Sequence, residues 1–176
     1  VEIKTLHKNK WLSLKEMKDE KNGVGGYVFA HEESSKGKKV AILPYRITEN
    51  SDYAELLLRS EVTPCWSMDP LTSSVTGSVE EDDIEGTMVM EVKEEAGFDI
   101  TKEDLISLGT CYGSKAMDTV YHLFSVDLTG KEQGEATGDG SELEAKAHCF
   151  WSESVEAVDP LVYVMAFRLM NYLEEN

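Results

Sequence analysis

Three carboxylates stand out by type and spacing. Glu91, Glu94 and Glu95 fall at i, i+3 and i+4, just ahead of Gly97. In a helix turning about 100° per residue they share an arc of roughly 100°. Like charges so placed repel one another and weaken an isolated helix. A divalent cation would neutralise them, and hard cations such as Mg²⁺ choose carboxylate oxygens. The plain alternative is a solvated acidic face, which most charge runs are.

The elements that must carry these residues can be read from periodicity. Ile84, Met88, Val92 and Ala96 recur every four residues, so a helix is expected from about Asp83 to Ala96 with this stripe facing a core. Gly97 suits the left-handed position that ends such a helix. Before it, residues 26–31 and 39–46 read as strands flanking the turn Glu33–Gly37, and Ala54–Arg59 reads as a third strand after the polar turn Glu49-Asn50-Ser51-Asp52. Residues Thr63–Thr76 carry two prolines and read as a loop leading into a turn at Gly77. Beyond the helix, strands are expected at Leu105–Tyr112, Val120–Leu128 and Ala145–Trp151, with the Gly-rich acidic loop Gly130–Gly140 between the last two. A nearly all-apolar helix from about Pro160 to Leu173 closes the chain, with Asp159 as its N-cap. Strands on both sides of one signature helix, plus a second helix, predict an α+β fold.

The segment Gly77–Phe98 resembles the Nudix box, G-x5-E-x7-R-E-U-x-E-E-x-G-U with U aliphatic. Glu91, Val92, Glu94, Glu95, Gly97 and Phe98 fill its second half in register, and Gly77 and Glu80 look like the start of its loop. The middle departs from the pattern. Met90 stands where the family has arginine, Gly77 lies one residue too close to Glu91, and Asp83 or Asp82 takes the place of the loop glutamate. Trp11-Leu12-Ser13-Leu14, Gly23–His31 and Gly37–Arg46 are similar to the opening of ADP-ribose pyrophosphatase-type Nudix hydrolases, a branch in which Glu94-Glu95-Ala96-Gly97 is also at home. The resemblance implies an α/β/α sandwich with a mixed sheet, preceded by an N-terminal antiparallel sheet. Residues 1–46 would be strands leading into the core sheet and residues 47–176 the Nudix core, in one domain overall.

The same resemblance implies a chemistry: Mg²⁺- or Mn²⁺-dependent hydrolysis of a nucleoside diphosphate linked to another moiety, ADP-ribose or a related nucleotide sugar. Metal ions neutralise phosphoryl oxygens and acidify the attacking water. Glu91, Glu95 and Glu94 are the expected ligands, joined by the Thr76 carbonyl. From the loop before the last core strand, Glu142 is the candidate base, alongside Glu94, and Glu144 a further ligand; an exposed acidic loop is the alternative there. Met90 cannot supply the guanidinium that braces box carboxylates, so Arg46, Arg59 or a lysine must substitute in space, or metal affinity falls. Arg46 and Arg59 are also candidate substrate contacts. Trp66 and Tyr112 could stack an adenine, or simply pack in the core or an interface. Some fifteen residues beyond the box, where the ADP-ribose branch tends to have a proline, this chain has Tyr112-Gly113-Ser114-Lys115, and a tyrosine near that point is associated with dinucleoside polyphosphate hydrolases. Such an activity, or nucleoside triphosphate hydrolysis, is therefore a rival, as is a Nudix-fold sensor that binds a nucleotide without cleaving it.

Composition sets bounds on partners. The 176 residues are 41% apolar and 29% charged, ordinary for one globular domain, but the net charge is −17. That argues against nucleic-acid or anionic-membrane binding, which rest on Lys and Arg. Cys65, Cys111 and Cys149 are widely spaced and odd in number, as free thiols in a reducing compartment would be. The opening Val1-Glu2-Ile3-Lys4 is charged rather than a secretory leader, and Leu161–Met170 is too short to cross a bilayer, so a cytoplasmic protein is expected. His122 reads as a sheet histidine, and Cys111 has no visible base partner for thiol chemistry. The apolar strands around Tyr27–Phe29 and the closing helix need more cover than one small domain offers, so a homodimer is expected.

Overall fold

The computed structural model describes residues 1–49, 54–79, 81–138 and 146–176. The expected turn at 50–52, the box position Glu80 and the loop candidates Glu142 and Glu144 lie outside the described residues.

Strands β1 (Glu2–Lys8), β2 (Leu12–Asp19) and β3 (Val24–Glu32) form an antiparallel N-terminal sheet in the order β1-β2-β3. All seven residues of β1 are exposed, so this sheet stands away from the core. It is tied back through β3. The Tyr27 hydroxyl donates to the Lys115 carbonyl, His31 Nδ1 lies 2.8 Å from an Asp118 carboxylate oxygen, and Ala30 bridges Met117.

The core begins with β4 (Lys38–Ile42), followed by β5 (Tyr45–Arg46). The single strand expected over 39–46 is in fact two. Pro44 has no N–H to continue a ladder, and the chain changes sheets there. β4 runs parallel to β10 (Val120–Ser125) and antiparallel to β8 (Val75–Ser78), while β5 pairs with β6 (Glu55–Glu61). One mixed sheet therefore has the order β8-β4-β10-β9, with β9 spanning Ile106–Tyr112. The other has the order β11-β6-β5, with β11 at His148–Ser152, and β7 (Leu71–Ser73) also pairs with β6. The expected loop over 63–76 thus contains β7 and the start of β8. Gly77 lies inside a strand, opposite Val40, rather than in a turn.

Alternation along these strands builds two cores. Val40, Ile42 and Leu57 pack with Val75, Met88, Val92, Ala96 and Phe98, beneath the signature helix α1 (Ile84–Glu91) and its continuation. Ala41, Leu43, Leu56 and Leu58 pack on the opposite side with Leu161, Val162, Met165 and Leu169 of α2 (Pro160–Glu175). Burying an aliphatic side chain of this size stabilises by about 1.5–3 kcal/mol. These two clusters hold the α/β/α layers together. Asp159 caps α2 as expected, accepting from Leu161 N–H at 2.9 Å, and its other oxygen takes the Ser74 hydroxyl and amide. No helix among the described residues is long and apolar enough to cross a membrane.

Candidate active site

The signature helix starts at Asp83, whose carboxylate accepts from Gly86 N–H at 3.1 Å and from Lys102 Nζ at 2.7 Å. The lysine hydrogen bond, then the amide, hold this carboxyl below its ordinary range. The neighbouring Asp82 pairs with Lys38 at 2.6 Å. Both aspartates that stand near the loop-glutamate position are therefore engaged in fixing the helix start.

The helix changes character where the carboxylates lie. After Glu91 it widens into a single π-helical turn, Val92–Ala96, a departure often found at functional sites. Gly97 ends it at φ +74°, its N–H bonded to the Lys93 carbonyl and Phe98 N–H to the Val92 carbonyl. The remaining carbonyls of the turn are claimed from elsewhere. Gly138 N–H donates to Glu94 O at 2.9 Å, the Cys149 thiol to Glu95 O at 3.5 Å, Gln133 Nε2 to Ala96 O at 2.9 Å and Gly134 N–H to Gly97 O at 2.7 Å. The acidic Gly-rich loop thus straps the end of the helix before the chain enters residues 139–145.

Glu91, Glu94 and Glu95 all line one cleft of about 620 Å³, together with Thr76, Gly77 and Met90. Each is set by a different neighbour. Glu91 lies directly over the Gly77 backbone, where a Cβ would sit 2.2 Å from its Oε1. Only glycine leaves room for that approach. Glu95 points to β6, with its Oε2 3.0 Å from Arg59 Nη1. Glu94 is held by its backbone through the loop. Glu81, Asp83 and Lys39 complete the charged lining, and Lys39 is the one cation among the described lining residues.

Arg59 is buried, and its Nε also donates to Glu61 Oε2 at 3.0 Å. Burial pulls the guanidinium pKa down, but the Glu95 and Glu61 carboxylates outweigh it and leave it raised. Of the other candidates, Arg46 is taken by Glu55 at 2.6 Å and lies over the Trp151 ring, 4.2 Å from its centre. Trp66 is 54% and Tyr112 71% exposed, and none of these three lines the cleft. Burial pushes the Cys149 thiol up to about 11 and raises Cys111 as well, so both stay protonated near neutral pH. Lys39 and Glu81 escaped the sequence reading. Their signal is a long-range one, since Lys39 reaches the site only because β4 pairs with β8.

Oxygen donors on one cleft wall are the right kind for Mg²⁺ or Mn²⁺. Their present orientation is less closed: among the described residues no three acidic, histidine or cysteine side chains converge as a metal-holding group. The donor set suits a hard cation in kind.

No family model matches the sequence, and no curated protein does. Solved structures do. The fold is similar to that of an ADP compounds hydrolase (TM-score 0.69, 13% identity, 99% of this chain and 93% of that one). It is similar to the NUDIX domain of Shewanella oneidensis NrtR complexed with ADP ribose (TM-score 0.56, 10% identity, 77% of this chain and 87% of that one). A MutT/nudix family protein from Enterococcus faecalis matches at TM-score 0.50 and 18% identity, over 65% of this chain and 43% of that one. The architecture is the Nudix fold, with the cleft at the end of its signature helix.

Proposed function

We propose that the chain is a Nudix pyrophosphohydrolase that splits a nucleoside diphosphate linked to another moiety, with ADP-ribose or a related nucleotide sugar as substrate. The observation that carries this reading is the gathering of Glu91, Glu94, Glu95 and Thr76 along one cleft at the widened end of the signature helix. Two neighbours lend support by what they are described as: a hydrolase of ADP compounds and a domain bound to ADP-ribose. Glu91, Glu94, Glu95 and the Thr76 carbonyl would hold Mg²⁺ or Mn²⁺. When bound, the metal supplies charge neutralisation and a more acidic water. Lys39 would meet the phosphate charge from the β4 side. Glu142 is the proposed base, and Glu144 a further ligand.

A second reading has an observation of its own. Among the described residues no three acidic side chains converge as a metal-holding group, which is the state a nucleotide-binding module without turnover would keep. The test is a panel of ADP-ribose, nucleotide sugars, diadenosine polyphosphates and nucleoside triphosphates with Mg²⁺. AMP release from ADP-ribose that stops in excess chelator is expected. Tight nucleotide binding with no turnover on the whole panel would favour the sensor instead.

We also propose that a second copy of the chain covers the N-terminal sheet, where Ile3, Leu6, Tyr27 and Val28 are exposed. Sedimentation should give a dimer at micromolar concentration, and a monomer there would remove this claim without touching the enzyme reading.

A further inference from the structure

The signature helix lacks a cation at Met90, yet one of its carboxylates meets a guanidinium from another element. Arg59 reaches out of β6 to Glu95, and its own orientation is fixed from behind. Its Nε donates to Glu61 Oε2, and Glu61 Oε1 accepts from the Ser73 hydroxyl at 2.9 Å. Ser73 belongs to β7, paired with β6 in register Arg59↔Ser73. A rigid line therefore runs Ser73–Glu61–Arg59–Glu95, from sheet to cleft. The side chains of Arg59 and Glu95 are 4% and 10% exposed, so solvent barely screens the pair. The guanidinium is fixed in plane by its hydrogen bond to Glu61 and brings its charge within 3.0 Å of Glu95 Oε2.

We infer that Arg59 is a positioning residue of this site: it holds Glu95 at the cleft wall in the place of a helix-borne cation. The inference rests on the cleft being the working site, as proposed above. Arg59 meets Glu95, one of the proposed metal-holding carboxylates, and so acts on its orientation. Loss of an outer partner of this kind weakens metal affinity by roughly 10–100-fold.

The test is Arg59→Gln in the full chain, with Arg59→Lys as the second variant should the first not fold. Three quantities are read: the Glu95 side-chain position in a crystal structure, the Mn²⁺ dissociation constant by electron paramagnetic resonance, and kcat against KM on ADP-ribose. The expected result is a Glu95 that leaves its place, a Mn²⁺ constant raised at least about tenfold, and a lower kcat with KM unchanged. A Glu95 that keeps its place overturns the inference, as does an unchanged Mn²⁺ constant with KM raised, which would make Arg59 a substrate contact. Should the wild type bind no Mn²⁺ and cleave nothing, the hydrolase reading falls, while the Glu95 position in the variant still decides the role of Arg59.

Discussion

Replacing Glu95 by Gln should leave the protein folded while lowering turnover by several orders of magnitude. The substitution keeps the side chain's size and one carbonyl oxygen, so packing beside Arg59 survives. What it removes is the negative charge at the point where a metal-activated water would be generated. Stability should fall modestly, because the buried Arg59 keeps its second carboxylate, Glu61, at 3.0 Å. Circular dichroism and thermal unfolding would check the fold, and AMP release from ADP-ribose across a Mg²⁺ series would check the rest. Wild-type turnover in the variant, or turnover of the wild type in excess chelator, would remove the metal mechanism.

The second large effect is expected at Gly97→Ala. A left-handed backbone with φ +74° costs an L-residue about 1–2 kcal/mol. Here the new Cβ would also meet the Gly134 carbonyl oxygen at 2.5 Å, and backbone cannot swing aside as a side-chain tip can. Overpacking of that kind adds about 1–3 kcal/mol. Together they predict a loss of roughly 2–5 kcal/mol, or a Tm lower by about 4–20 °C for a chain of this size. Relief by moving the loop would break the bonds from Gly134 and Gln133, so turnover should fall as well. A Tm within 2 °C (about 1 kcal/mol) of wild type would contradict this account.

The parts legible in the sequence were those set by local pattern. The stripe Met88, Val92 and Ala96, the glycine stop and the Asp159 cap each depend on neighbours within one helical turn, and each lies as expected. The in-register glutamates were legible for the same reason. The N-terminal sheet was expected from the resemblance, but the bounds of β1 were not legible in pattern, because it is exposed along its whole length and has no burial alternation to read. β7 and β8 were hidden in a stretch whose prolines read as loop, and the break at Pro44 depends on which sheet each half joins. The partner of Glu95 could be named only as one of several cations, because Arg59 is brought to it by strand pairing rather than by spacing.

Close together on the helix, the three glutamates nevertheless meet distant chain: Glu91 lies over Gly77 on β8, Glu95 pairs with Arg59 on β6, and the Glu94 backbone accepts from a loop that follows β10. Contacts of such sequence separation carry a loop-closure cost and form late in folding. The motif is thus written locally but assembled globally. A peptide spanning 77–98 would carry every box residue and still lack the Arg59 and loop contacts that orient them. For the same reason the cleft stays incomplete in a nascent chain until the segments beyond β10 have been made and docked.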